Sequence, residues 1–236
     1  MCAADLNRAR AAEYEALFKA EKLSPSNNEI PLDVCCALLR GLRLKPSDRF
    51  MDLGSARGRL VFAAAATAGC TICGGAELSP SDHTAAGAAF LRMVKECSYG
   101  GPPPQLYCCD LRSAPLRDFN VFYCAIRGDA SRPRVVSELV ARMLEAPLPE
   151  ATCPPRRLIL AGFGIDLQGT PFASRVKLVK VYALRASTTD GMATPSAGAV
   201  VSDSVAANGT TEVVTEPLAL YGDSQGPRFL LEYAVG

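Results

Sequence analysis

The residues of this chain best suited to chemistry are Asp52-Leu53-Gly54-Ser55-Ala56-Arg57-Gly58, an acid closing an apolar run and then a glycine-bounded turn. Such a turn, opening into a helix, offers backbone N–H groups to a ligand lying across the ends of neighbouring strands. A dinucleotide loop would want glycines at positions 54, 56 and 59, but Ala56 and Arg59 hold the second and third places. The loop on its own is moderately specific.

Two further acids raise it. Glu77 closes the next apolar run about 20 residues beyond the loop, where a carboxylate can accept from both hydroxyls of a ribose. Asp110 follows the apolar Leu106 to Cys109 run, where a carboxylate can accept from the exocyclic amine of an adenine. Acids also end strands simply because loops are solvated. Three of them in succession, together with the glycine turn, favour a nucleoside site formed by Asp52, Gly54, Ser55, Ala56, Gly58, Glu77 and Asp110, with Leu78 and Leu111 directly after the two later acids.

The elements that must carry these residues alternate. Pro31 suits a first helical turn, Leu32, Cys35, Leu38, Leu39 and Leu42 share one face, and Gly41 and Pro46 close that helix. Strands are expected at 49–53, 71–76, 105–109, 119–126 and 157–163, and helices at 59–68, 80–95 and 132–145. Five strands alternating with helices imply a parallel sheet with right-handed crossovers. Val176 to Leu184 and Phe229 to Val235 read as two more strands with no helical pattern between them, hence a C-terminal antiparallel hairpin. The expected fold is α/β, a doubly wound, mostly parallel seven-stranded sheet.

Outside that core, residues 1–26 form an N-terminal extension. Leu6, Tyr14, Leu17 and Phe18 fall there at helical intervals, on a helix that either packs on the body or meets an assembly partner. Residues 27–236 form the main domain, and 186–216, rich in Ser, Thr, Ala and Gly, read as a flexible insertion.

Composition narrows the function. With 25 Lys+Arg against 24 Asp+Glu the net charge is +1, so no global field draws the chain to a phosphate backbone. The ten cysteines include adjacent pairs inside apolar runs, and the first residues lack the basic-then-apolar pattern of a secretory signal. Reduced thiols in an intracellular protein, nuclear or cytoplasmic and not secreted, are the expectation. Cys70 and Cys73 form a CxxC with no second pair, and His83 is the single histidine, so no metal site is expected. No apolar stretch has the length of a membrane span.

Glycines at 54 and 58 fit the spacing of methyltransferase loops, and Phe50-Met51-Asp52-Leu53-Gly54-Ser55-Ala56-Arg57-Gly58-Arg59-Leu60-Val61 resembles the cofactor loop of the disruptor-of-telomeric-silencing-type histone lysine methyltransferases. The resemblance extends from about Asn27 to the C-terminus, through Glu77, Asp110, Phe119 to Tyr123 and Phe229 to Tyr233. It implies a class I Rossmann-like methyltransferase fold, S-adenosylmethionine as cofactor and a protein lysine, histone included, as acceptor. Glu29, in Asn28-Glu29-Ile30, matches in place a family glutamate near the methionine end of the cofactor, and serves equally as a helix cap.

The chain departs from that family at Ala56, where glycine is usual, and at Tyr123-Cys124-Ala125-Ile126-Arg127, where the family carries asparagines and aromatics. A lysine acceptor must shed a proton, and Tyr123 and Asp129 are the candidate catalytic groups; a core aromatic and a turn residue are their blander readings. Two rival functions stand beside protein-lysine transfer. One is a noncatalytic subunit of a larger assembly. The other is an RNA methyltransferase using Arg57, Arg59, Arg112, Arg117, Arg127, Arg132 and Arg134.

Overall fold

The computed structural model describes residues 32–96, 99, 101–125, 132–147, 155–161, 167, 170–186, 218–220 and 229–236. The N-terminal helix read at 4–23, Glu29, Asp129 and nearly all of the 186–216 segment lie outside those residues.

Among the described residues eight strands form one sheet: β1 (Arg49–Leu53), β2 (Ile72–Glu77), β3 (Gln105–Cys108), β4 (Val121–Cys124), β5 (Arg156–Ala161), β6 (Val176–Ala186), β7 (Leu218–Leu220) and β8 (Phe229–Val235). Their order is β3-β2-β1-β4-β5-β8-β6-β7. The first five are parallel, while β8 runs antiparallel between β5 and β6. All seven strands read from the sequence are present. The eighth, β7, is only three residues long, pairs with the end of β6 and carries too little pattern to be read in advance.

The helices are α1 (Leu32–Gly41), α2 (Arg59–Ala63), α3 (Pro80–Glu96) and α4 (Arg132–Glu145). Beyond Ala63 the expected single helix changes to a π-helical turn, Ala64–Ala68. Within that turn the Thr67 hydroxyl donates to the Ala63 carbonyl at 2.6 Å, and Gly69 ends it at φ +68°.

Period-2 alternation divides the core. Phe50, Val121, Tyr123 and Ile159 pack under α1, α2 and α3, against Cys35, Leu38, Leu42, Phe62 and Met93. Met51, Leu53, Phe122, Leu158 and Leu160 face the other way, against Val136, Leu139, Val140 and Met143 of α4. Each fully buried large side chain removes apolar area worth about 1.5–3 kcal/mol. Both faces of the central strands are thus covered, as a parallel sheet requires.

A buried polar knot ties the N-terminal ends of the strands. Asn120 accepts from Arg49 N–H at 2.7 Å and donates to Asp48 at 3.2 Å, both Asn120 and Asp48 being buried. Arg157 donates to Glu232 at 2.7 Å and to the Leu42 carbonyl at 2.8 Å, and its guanidinium lies 3.7 Å from Asp48. That end of the sheet is locked, which leaves the opposite, C-terminal ends free to hold loops.

Candidate functional site

The strand order reverses between β1 and β4, and ligands of doubly wound sheets bind in the crevice outside the carboxyl ends at that point. The turn after β1 lies there. Gly54 and Ser55 N–H both donate to the Ala76 carbonyl of β2, at 2.8 and 3.0 Å, and Gly58 N–H donates to Ser55 at 2.7 Å. Gly54 has φ +88°, a left-handed conformation that glycine adopts without strain. A side chain there would project into open space and not into protein.

Ala56 has φ +46°. Its methyl group therefore sits in a conformation that costs an L-residue about 1–2 kcal/mol. What holds it is Glu77: Oε2 accepts from Ala56 N–H at 2.8 Å, while Oε1 accepts from Ser79 N–H at 2.7 Å. One carboxylate so binds the turns after β1 and β2 together and keeps further lone pairs for a ligand.

Gly75, an unremarked strand residue in the sequence, permits this closeness. A Cβ on it would stand 2.7 Å from Ser55 Oγ and 2.8 Å from a Val61 methyl. Glycine inside a strand pattern marks close backbone approach, and the Gly74-Gly75 pair was the available signal.

Asp52 is buried, in register with Gly75 on one side and Tyr123 on the other. Burial, and secondarily the Glu77 carboxylate, push its carboxyl up to about 8. Burial and the neighbouring Asp52 likewise raise the Tyr123 phenol. Tyr123 belongs to the core beneath α1 and is not among the residues lining the cavity. Asp52, in register beside it, is not among the lining residues either. Cys124, its neighbour, is buried on the opposite face.

A cavity of about 450 Å³ opens beside the turn. Gly54, Glu77, Leu78, Asp110 and Leu111, all singled out from the sequence, line it. Leu78 is 66% exposed, an apolar surface suited to one face of a flat base. Ser55 and Gly58 are buried, so they shape the turn from behind. Four lining residues were not foreseen as parts of the cofactor site: Ala76, Arg112, Arg134 and Val135. The two arginines stood only in a broad basic set, and Val135 enters because α4 starts over the crevice.

Asp110 is more engaged than its sequence position reveals. Arg112 donates to it from Nε at 2.9 Å, from Nη2 at 2.6 Å and from its backbone N–H at 2.8 Å. The Arg112 side chain, then its backbone N–H, hold this carboxyl below its ordinary value. Arg134 pairs with Glu138 at 2.8 Å, and Arg57 with Asp82 at 3.4 Å.

Cys70 and Cys73 are both buried; their mutual hydrogen bond, then burial, push the Cys73 thiol up. Among the described residues no group of three or more His, Cys, Asp or Glu is arranged to hold a metal ion. No described helix is long and apolar enough to cross a membrane.

The family model of the histone methylation protein DOT1 matches residues 21–101, the segment holding the turn and Glu77. No curated protein matches the chain. Among solved structures, TrmN from Thermus thermophilus is 13% identical with a TM-score of 0.56, covering 90% of this chain and 51% of its own. The tRNA (m1A58) methyltransferase TrmI from Aquifex aeolicus is 11% identical with a TM-score of 0.53, covering 94% and 75%. An RNA methyltransferase from Salinibacter ruber, solved with S-adenosyl-L-homocysteine, is 22% identical over 60% of this chain and 88% of that one, at a TM-score of 0.45. The chain has the Rossmann-like methyltransferase fold and resembles the DOT1 type.

Proposed function

We propose that this chain is an S-adenosylmethionine-dependent methyltransferase whose acceptor is a protein lysine. The observation that carries the reading is one crevice in which the Gly54 to Ala56 turn, the Glu77 carboxylate and the Asp110 carboxylate converge. A cavity of about 450 Å³ suits a nucleoside-sized ligand, and the open space beyond Gly54 is where a ligand would approach the backbone. Glu77 offers acceptors to two ribose hydroxyls, Asp110 accepts from the adenine amine, and Leu78 and Leu111 flank the base. Asp52 and, from outside the described residues, Glu29 belong to the methionine end in this reading.

When bound, S-adenosylmethionine supplies an electrophilic methyl group on its sulfonium. The chain's own task is to orient an acceptor in line with that methyl and to exclude water. The Ser55 and Gly58 turn, wedged against Gly75, fixes the donor side of that geometry. Tyr123, buried beside Asp52, keeps the carboxyl in a dry setting, and Asp129 is the group proposed to take the lysine proton.

The DOT1 match supports a protein acceptor, histone included, and with it nuclear residence. The charge at the rim points the same way. Arg57, Arg112 and Arg134 are each answered by a carboxylate of this chain, so they offer RNA less than their number implies.

Calorimetry with S-adenosylmethionine and its demethylated product tests the cofactor site. Micromolar binding by the native protein, lost in Gly54→Arg and Glu77→Ala, is expected. A well-folded native protein that binds neither ligand refutes the enzyme and leaves the noncatalytic subunit, joined to its assembly through the N-terminal helix. Transfer of labelled methyl to histones but not to RNA then supports the lysine acceptor, and the reverse result replaces it with RNA.

A further inference from the structure

The Asp110 carboxylate at the base end of the cavity has most of its acceptor positions filled from within the chain. Each carboxylate oxygen has two lone-pair sites. Oδ1 accepts both the backbone N–H and Nε–H of Arg112, at 2.8 and 2.9 Å, and Oδ2 accepts Nη2–H at 2.6 Å. Oδ1 is thereby saturated, and Oδ2 keeps one site.

The fork that does this is itself braced. Arg112 Nη1 lies 3.8 Å from Glu138 Oε2, while Glu138 Oε1 accepts from Arg134 Nε–H at 2.8 Å. Arg112 is thus held between the turn after β3 and α4, and both arginines line the cavity. An unbraced carboxylate would rotate, and a bridging water would let it serve a donor or an acceptor on the ligand. A two-point guanidinium fork removes that freedom.

We infer that Arg112 is a specificity-determining positioning residue for the nucleobase, leaving Asp110 a single, fixed acceptor that matches a base edge bearing an amine and rejects one bearing a carbonyl. The inference rests on the adenosyl reading of the cavity. Arg112 acts through Asp110 and has no part in the transfer itself.

The test compares calorimetric binding of S-adenosylhomocysteine with that of its 6-oxo analogue, S-inosylhomocysteine. The native protein should prefer the amine by about tenfold, the factor expected of one charge-assisted bond at a partly open site. Arg112→Met, on an exposed turn, should fold normally and lose most of that preference. Arg112→Lys keeps the charge without the fork and should lose it as well. The ratio of the two affinities is a readout that a merely structural role would not move. An undiminished ratio in Arg112→Met, or a native ratio in Arg112→Lys, overturns the inference. A native protein that binds both analogues equally overturns it too while the cofactor site stands, and one that binds neither fails the adenosyl reading first.

Discussion

Asp52 should make this protein less stable as pH rises, the reverse of an ordinary aspartate. Asp52 is 5% exposed, with the Glu77 carboxylate of β2 nearby and Tyr123 of β4 in register beside it. Its native value of about 8 stands above the unfolded 3.8, so between those limits the folded state holds a proton that the unfolded state has released. The stability conferred by the protonated carboxyl is full below the lower value and lost as pH climbs through the upper one. Where the two states differ by one bound proton, each step of one in pH lowers the stability by about 1.4 kcal/mol, so the loss should reach about 4 kcal/mol between pH 5 and pH 8. Asp52→Asn removes the ionisation and keeps the shape. Urea denaturation of both proteins at half-unit steps from pH 5 to 9 gives the difference in unfolding free energy. That difference, native minus variant, should fall steadily and then level off above about pH 8. A difference that stays flat, or that rises with pH, refutes the argument that burial dominates this carboxyl.

Ala56→Gly should stabilise the fold by about 1 kcal/mol, because φ +46° penalises the methyl group, and raise Tm by about 2–4 °C in differential scanning calorimetry. An unchanged or lower Tm would mean that the methyl contributes contacts outweighing the strain. Gly75→Ala should cost about 1–3 kcal/mol and weaken cofactor binding, since the new Cβ would meet Ser55 and Val61. Gly75→Ala combined with Ser55→Gly should recover part of both, and no recovery would refute the wedge. Arg157→Met should cost about 3–5 kcal/mol in urea denaturation, because Asp48 and Glu232, both buried, would each lose this guanidinium. A cost below about 1 kcal/mol would place those carboxylates in contact with water.

The parts legible in the sequence share a physical origin. Period-2 apolar runs and capped helices set the alternation of β1 to β5 with helices, and a parallel sheet of that kind has one crevice, at its carboxyl ends. Gly54, Glu77 and Asp110 could be assigned to it because each ends or directly follows a strand that the alternation already located. Element edges were less legible: β4 begins at Val121, although Asn120 just before it still bonds through its backbone to Arg49 of β1 and Arg157 of β5 while its side chain enters the knot with Arg49 N–H and Asp48.

What the sequence withheld are contacts between residues distant along the chain. Gly75 looks like a weak strand residue until Ser55 is seen against it, and the position of Tyr123 at a strand end says nothing of the buried Asp52 in register with it. Asp110 and Arg112 are only two residues apart, yet their spacing says nothing of three hydrogen bonds, because that depends on the helical turn bringing the guanidinium back over the carboxylate. The type of a strand-end acid therefore predicts that a ligand donor can be met there. Which donor it will meet depends on how many of its lone pairs the protein has already filled, and at Asp110 that number is set by Arg112.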